Sequence, residues 1–276
     1  MQALQALDSG NIAVLETLIA ENPRLVKDRL ITAEEGYFKN PYLIWFVADN
    51  PIRNFKLPPN IVDITRLLIE AVKREAADTY HKQINYTLGL VATGRVPREC
   101  GVQIAMMDLL IDAGASPGGG MGAFAHGNVE AAQHLIDRGG KLTLAAAVCL
   151  ERKDDITRLA AVANPGEKLT ALTAAAFYGK TDMVRFLLSV GADPNGYPES
   201  NSGFHSHATP LHQAVQSGSL DTVKLLVEAG ATLDAPDKIY NGTPLEWAAY
   251  LQTDDDHDEA RKKNLALIES YLRAKR

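Results

Sequence analysis

Cysteine is scarce in this 276-residue chain: Cys100 and Cys149 stand far apart and form no CxxC pair. That spacing argues against a disulfide framework and suits a reducing compartment. A basic excess is also missing. Lys and Arg number 28 against 34 Asp and Glu, and the net charge of −6 opposes the phosphate backbone of nucleic acids, so no nucleic-acid partner is expected. No stretch approaches the roughly 18 apolar residues of a spanning helix, and the opening MQALQALDSGN lacks the basic region and apolar run of an export signal. The expectation is therefore a cytoplasmic protein with no membrane partner. Signatures of catalysis are absent as well. There is no G-x-S-x-G, neither cysteine sits in a nucleophile motif, and SPGGGMG is followed by no G-K-[ST], so it reads as a shortened linker.

What the chain does have is an ordinary globular composition, 46% hydrophobic and 22% charged, and a repeated unit. The stretch ATPLHQAVQSGSLDTVKLLVEAGATLDA reads as two short helices joined by a tight turn. Thr209 is placed to cap the first, with Pro210 at the first helical position, where its missing donor costs nothing. Leu211, Ala214 and Val215 recur at helical spacing, and Gly218 stops the run. Leu220, Val223, Leu226 and Val227 form the stripe of the second helix, which Gly230 ends in the same way.

This unit closely resembles the ankyrin repeat, whose signature runs T-P-L-H-x-A, then glycine, V-x-x-L-L and a terminal G-A. It recurs without a gap as TALTAAAFYGKTDMVRFLLSVGA at residues 170–192, with a shortened first helix as MGAFAHGNVEAAQHLIDRGG at 121–140, and as TPLEWAAY from Thr243. More degraded copies begin at the first residue, in MQALQALDSGNIAVLETLIAEN, and continue through NPYLIWFVAD with IVDITRLLIEA, YTLGLVATG with IAMMDLLIDAGA, and LTLAAAVC with DDITRLAAVAN. The resemblance implies an all-α solenoid of about eight stacked helix-turn-helix repeats with loop fingers, a single domain over residues 1–276. The final ARKKNLALIESYLRAKR, with Leu265, Ile268 and Leu272 on one face, reads as a capping helix.

Members of that family bind partners, usually proteins, on a concave surface of first helices and loops, so a monomeric, non-catalytic binding scaffold is the expected function. The spacing from Gly114 to Gly139 is short, whereas 23–39 and 191–208 are long loops, which implies a groove shallow in its middle and walled toward both ends. Trp45 and Trp247 each lie two residues after a signature leucine, and Phe177 and Tyr178 hold positions expected to face the groove. Tyr37, Phe204 and Tyr240 lie in loops, where binding residues concentrate. His126, His205 and His207 complete the candidate partner-binding set. A pocket of aromatics and histidines in an enzyme or small-molecule binder is the alternative.

The histidines of SGFHSHATPLHQA divide into two kinds. His212 is the signature histidine, and the resemblance implies a hydrogen-bonded structural role for it. His205-x-His207 has the spacing of a two-imidazole zinc pair, but a further ligand is not apparent, so no metal is expected. The acidic run Asp254, Asp255, Asp256, Asp258 and Glu259 lacks the glycine and spacing of a calcium loop and reads as a solvated lead-in to the last helix. No cofactor and no catalytic residue is expected.

Overall fold

The computed structural model describes residues 2–31, 35–199, 203–254 and 258–276, and no strand occurs among them. The chain forms two compact units, Met1–Lys141 and Leu142–Arg276.

In the first unit the helices are α1 (Gln2–Asp8), α2 (Ile12–Glu21), α3 (Arg24–Lys27), α4 (Ile61–Glu75), α5 (Tyr80–Thr93), α6 (Arg95–Glu99), α7 (Gln103–Asp112), α8 (Met121–Ala125) and α9 (Val129–Asp137). Tighter 3-10 turns span Gly36–Phe38 and Leu43–Ala48. Helix α4 shows why such elements pack: Ile61, Ile64, Leu68 and Val72 recur every three or four residues and are all buried. The segment 23–39 departs from the expected plain loop, because Val26 on α3 and Phe38 on the 3-10 turn both reach the core. The stretch Leu43–Ala48 also departs from an ordinary first helix. All six of its side chains are buried, leaving no wetted face, and the run ends at Asp49 in a left-handed conformation (φ 44°). The buried Asp49 carboxylate then accepts the backbone N–H groups of Arg53, Asn54 and Phe55 at 3.0–3.2 Å and turns the chain aside.

The second unit holds α10 (Leu144–Cys149), α11 (Lys153–Ala160), α12 (Pro165–Phe177), α13 (Thr181–Ser189), α14 (Pro210–Ser217), α15 (Leu220–Glu228), α16 (Pro244–Leu251) and α17 (Glu259–Lys275). Helices α10, α12, α14 and α16 stack in succession, with α13, α15 and α17 forming a second row. Proline opens α12, α14 and α16, each time behind a reciprocal cap. At α12 this moves the start to Pro165, earlier than the repeat pattern at Thr170 suggested. There the Asn164 side chain accepts the Glu167 N–H, and the Glu167 carboxylate accepts the Asn164 N–H, both at 3.0 Å. Gly218 closes α14 with φ 72°, a conformation costly for any residue with a Cβ.

Leu226 is fully buried between the rows, whereas Val227, expected beside it, is only half-buried. Leu226→Ala leaves a cavity that neighbouring helices fill only partly, so a loss of about 3 kcal/mol is expected in a urea titration of the whole chain. A loss under about 0.5 kcal/mol would remove Leu226 from the packed interior.

Candidate functional site

The Asp237 side chain organises the second unit's surface. Asp237 is 2% exposed, and its carboxylate accepts four hydrogen bonds: Ile239 N–H at 2.9 Å, Tyr240 N–H at 2.7 Å, Gly242 N–H at 2.9 Å and the Trp247 indole N–H at 3.1 Å. Burial alone would raise its pKa, but these donors outweigh burial and hold the carboxyl at about 2. Loop 237–243 is thereby folded back and fastened to the first turn of α16. Gly242 is the tight point: a Cβ there would lie 3.1 Å from Asp237 Oδ2 and 3.2 Å from the Trp247 ring.

His212 secures the same loop from α14. Its Nδ1 accepts the Thr209 N–H at 3.2 Å, so the ring proton sits on Nε2, which donates to the Gly242 carbonyl at 3.0 Å. Thr209 Oγ1 lies 2.8 Å from the same Nδ1. Burial pushes the His212 pKa down, which keeps the ring neutral in this arrangement. The structural role expected of this histidine is what its bonds perform.

Between the loop and the helices lies an open hollow of about 580 Å³, lined by His205, His207, Gln216, Tyr240, Gly242, Glu246, Trp247, Tyr250 and Leu251. Ring centroids connect its walls: His205 to His207 at 5.5 Å, His205 and His207 each to Trp247 at 5.9 Å, and His207 to Tyr240 at 6.1 Å. Four of the residues expected from sequence, His205, His207, Tyr240 and Trp247, therefore meet at one place. Three others stand behind them. Phe204 is 2% exposed and packs on Phe177 at 5.0 Å and Tyr178 at 6.2 Å. The expectation of Phe204 as a protruding loop contact is corrected: the ring is a core plug beneath His205. Tyr178 lies beside Cys149, and burial pushes its phenol up to about 12, so the hydroxyl stays protonated and is a poor base.

Tyr37, Trp45 and His126 belong to the first unit. Tyr37 and His126 line a second, smaller hollow of about 380 Å³ with Asn50, Asn85, Tyr86, Gly89, Leu90 and Thr93. The Tyr37 hydroxyl donates to Asn50 Oδ1 at 3.0 Å, and Asn50 Nδ2 donates to the Leu90 carbonyl at 3.1 Å and to Thr93 Oγ1 at 3.2 Å. Trp45 is not on that surface. It is 3% exposed and stacks on Tyr86 at 4.1 Å, with the Arg29 guanidinium over its ring at 5.5 Å, so its expected place facing a groove is also corrected.

Sequence reasoning missed Asp237, Glu246 and Tyr250. Tyr250 was within reach, because it follows Trp247 by three positions on a helix and so shares its face. Asp237 carried a fainter signal, an acidic residue shortly before the turn pair Asn241-Gly242. Among the described residues no group of three or more His, Cys, Asp or Glu is placed to hold a metal. Asp255 and Asp256 of the acidic run lie outside the described residues, while Asp258 caps α17 by accepting the Arg261 N–H at 2.7 Å. No helix among the described residues is long and apolar enough to cross a membrane.

Comparison with known proteins agrees with the repeat pattern. Residues 121–237 match the family described as ankyrin repeats (3 copies). The chain is 40% identical over 75 residues to the potassium channel KOR1 of Oryza sativa subsp. japonica, a stretch that covers 27% of this chain and 8% of the channel. It is 39% identical over 70 residues to the potassium channel GORK of Arabidopsis thaliana, covering 25% and 8% respectively. The matched stretch thus spans under a tenth of the length of these curated relatives.

Proposed function

Starting from an ankyrin-repeat protein over residues 121–237, we propose that this chain is a non-catalytic binding scaffold that receives a segment of a partner protein in the hollow of its second unit. The observation that carries this reading is the convergence of His205, His207, Tyr240 and Trp247 around one open hollow, with Tyr240 and Tyr250 largely exposed beside it. Large, rigid aromatic rings with polar edges supply contact area at a low cost in side-chain entropy. The ionisable groups that anchor the walls favour binding over chemistry. Asp237 has its oxygens occupied by four donors, and His212 has both ring nitrogens engaged, so neither is poised to move a proton.

Eight repeats fit the helices, read as α1–α2, Leu43–Ala48 with α4, α5–α7, α8–α9, α10–α11, α12–α13, α14–α15 and α16–α17. Both cysteines are free, Cys100 exposed and Cys149 buried, which supports a cytoplasmic, reducing setting. The short stretch shared with the potassium channels supports the repeat assignment and gives no ground for ion conduction.

The test is capture by the intact chain from a native extract, compared with a Tyr240→Ala/Tyr250→Ala variant. Both rings are mostly exposed, so the variant is expected to keep its melting temperature and to lose a protein that the wild type retains. Identical captured proteins from both chains would rule out this surface.

A further inference from the structure

The hollow is lopsided in charge. Among the described residues that line it, Glu246 is the sole acid and none is lysine or arginine. The Glu246 carboxylate uses one oxygen, Oε2, to accept the Thr243 N–H at 2.8 Å and the Thr243 hydroxyl at 2.9 Å. Those donors, with a smaller contribution from the Arg276 charge, lower its pKa, and Oε1 accepts no hydrogen bond among the described residues. The charge therefore stays at the rim with one of its two oxygens uncommitted. The same hollow is lined by Trp247, Tyr240 and Tyr250, the two tyrosines 78% and 74% exposed. Aromatic faces carry partial negative charge and attract cations, best when a carboxylate stands near.

Resting on the scaffold reading above, we propose that this hollow recognises a cationic side chain, lysine or arginine, presented by the partner segment. The alkyl stem lies along Tyr240 and Tyr250, and the charged head meets the Trp247 ring and Glu246 Oε1. A purely apolar anchor would satisfy the rings but offer no donor to Glu246 Oε1. An acidic anchor would face Glu246 directly and be repelled. Charge complementarity thus selects one occupant among the three.

The experiment uses the intact chain and short acetylated Gly-Ser peptides that differ at one central residue, which is lysine, arginine, norleucine or glutamate. Binding is read from the Trp247 indole N–H resonance during titration. The lysine and arginine peptides are expected to shift it and the norleucine and glutamate peptides to leave it in place. Glu246→Gln keeps the cap, since glutamine also accepts from Thr243, and should weaken the lysine peptide about threefold. Tyr240→Ala and Tyr250→Ala should each weaken it about fivefold, and the phenylalanine variants should retain affinity. Equal shifts with lysine and norleucine, preference for glutamate, no shift with any peptide, or full affinity in Glu246→Gln would each overturn the assignment. The two readings fail differently: loss of charge preference leaves capture dependent on Tyr240 and Tyr250, whereas failure of the scaffold reading shows as capture that ignores them.

Discussion

Replacing Asp237 by asparagine is expected to cost the protein about 3–4 kcal/mol, because the amide cannot accept from all four donors and turns an N–H₂ toward at least one of them. The bonds lost include backbone N–H groups of a closed loop and the Trp247 indole, none of which finds water easily once Asp237 is buried. The pH dependence makes the prediction sharper. A folded-state pKa of about 2 lies below the usual carboxylate value, so the ionised form is favoured by folding. Its contribution, about 2 kcal/mol, is fully present above about pH 4 and is lost as the pH falls toward 2. Urea titrations from pH 7 down to pH 2 should show the wild type losing this increment and Asp237→Asn lacking it. Parallel curves for the two chains would mean that the carboxylate is not held by those donors.

Phe204→Ala is expected to remove about 3–5 kcal/mol, comparable to other large aromatic deletions from packed interiors. The ring is 2% exposed and sits against Phe177 and Tyr178, so its removal leaves a cavity beside α12. Phe204→Leu should lose less, about 1–2 kcal/mol, because most of the volume remains. Calorimetry of both variants distinguishes a buried plug from a surface contact. An unchanged melting temperature in Phe204→Ala would restore the sequence expectation that the ring faces a partner. Partner capture should fall in Phe204→Ala only alongside stability, unlike Tyr240→Ala, where the two separate.

Helix boundaries and repeat phase in the second unit were legible because they rest on local chemistry. Thr209-Pro210 and Thr243-Pro244 specify helix starts within four residues, and Gly218 specifies an end by its φ alone. The candidate site was legible only where it sits on those elements. Trp247 follows from the phase of α16, and His205 and His207 from their nearness to Thr209. Phe204 and Trp45 were misplaced because exposure in loops and irregular turns depends on contacts distant in sequence, such as Trp45 on Tyr86. The same reason hid Asp237, whose role appears only once Trp247, ten positions later, is brought back to it. The start of α12 was missed for a different cause: the Asn164–Glu167 cap precedes the repeat signature and adds a turn that the signature does not contain.

One carboxylate fastens the 237–243 loop to the indole of α16, so the two walls of the hollow move as one piece. The loop's conformational freedom is surrendered when the chain folds rather than when a partner arrives. A segment entering the hollow has little left to order on the protein's side, and its own flexibility sets most of the entropic cost. Differences among such segments should then appear in how long each stays, with encounter rates nearly constant from one to the next.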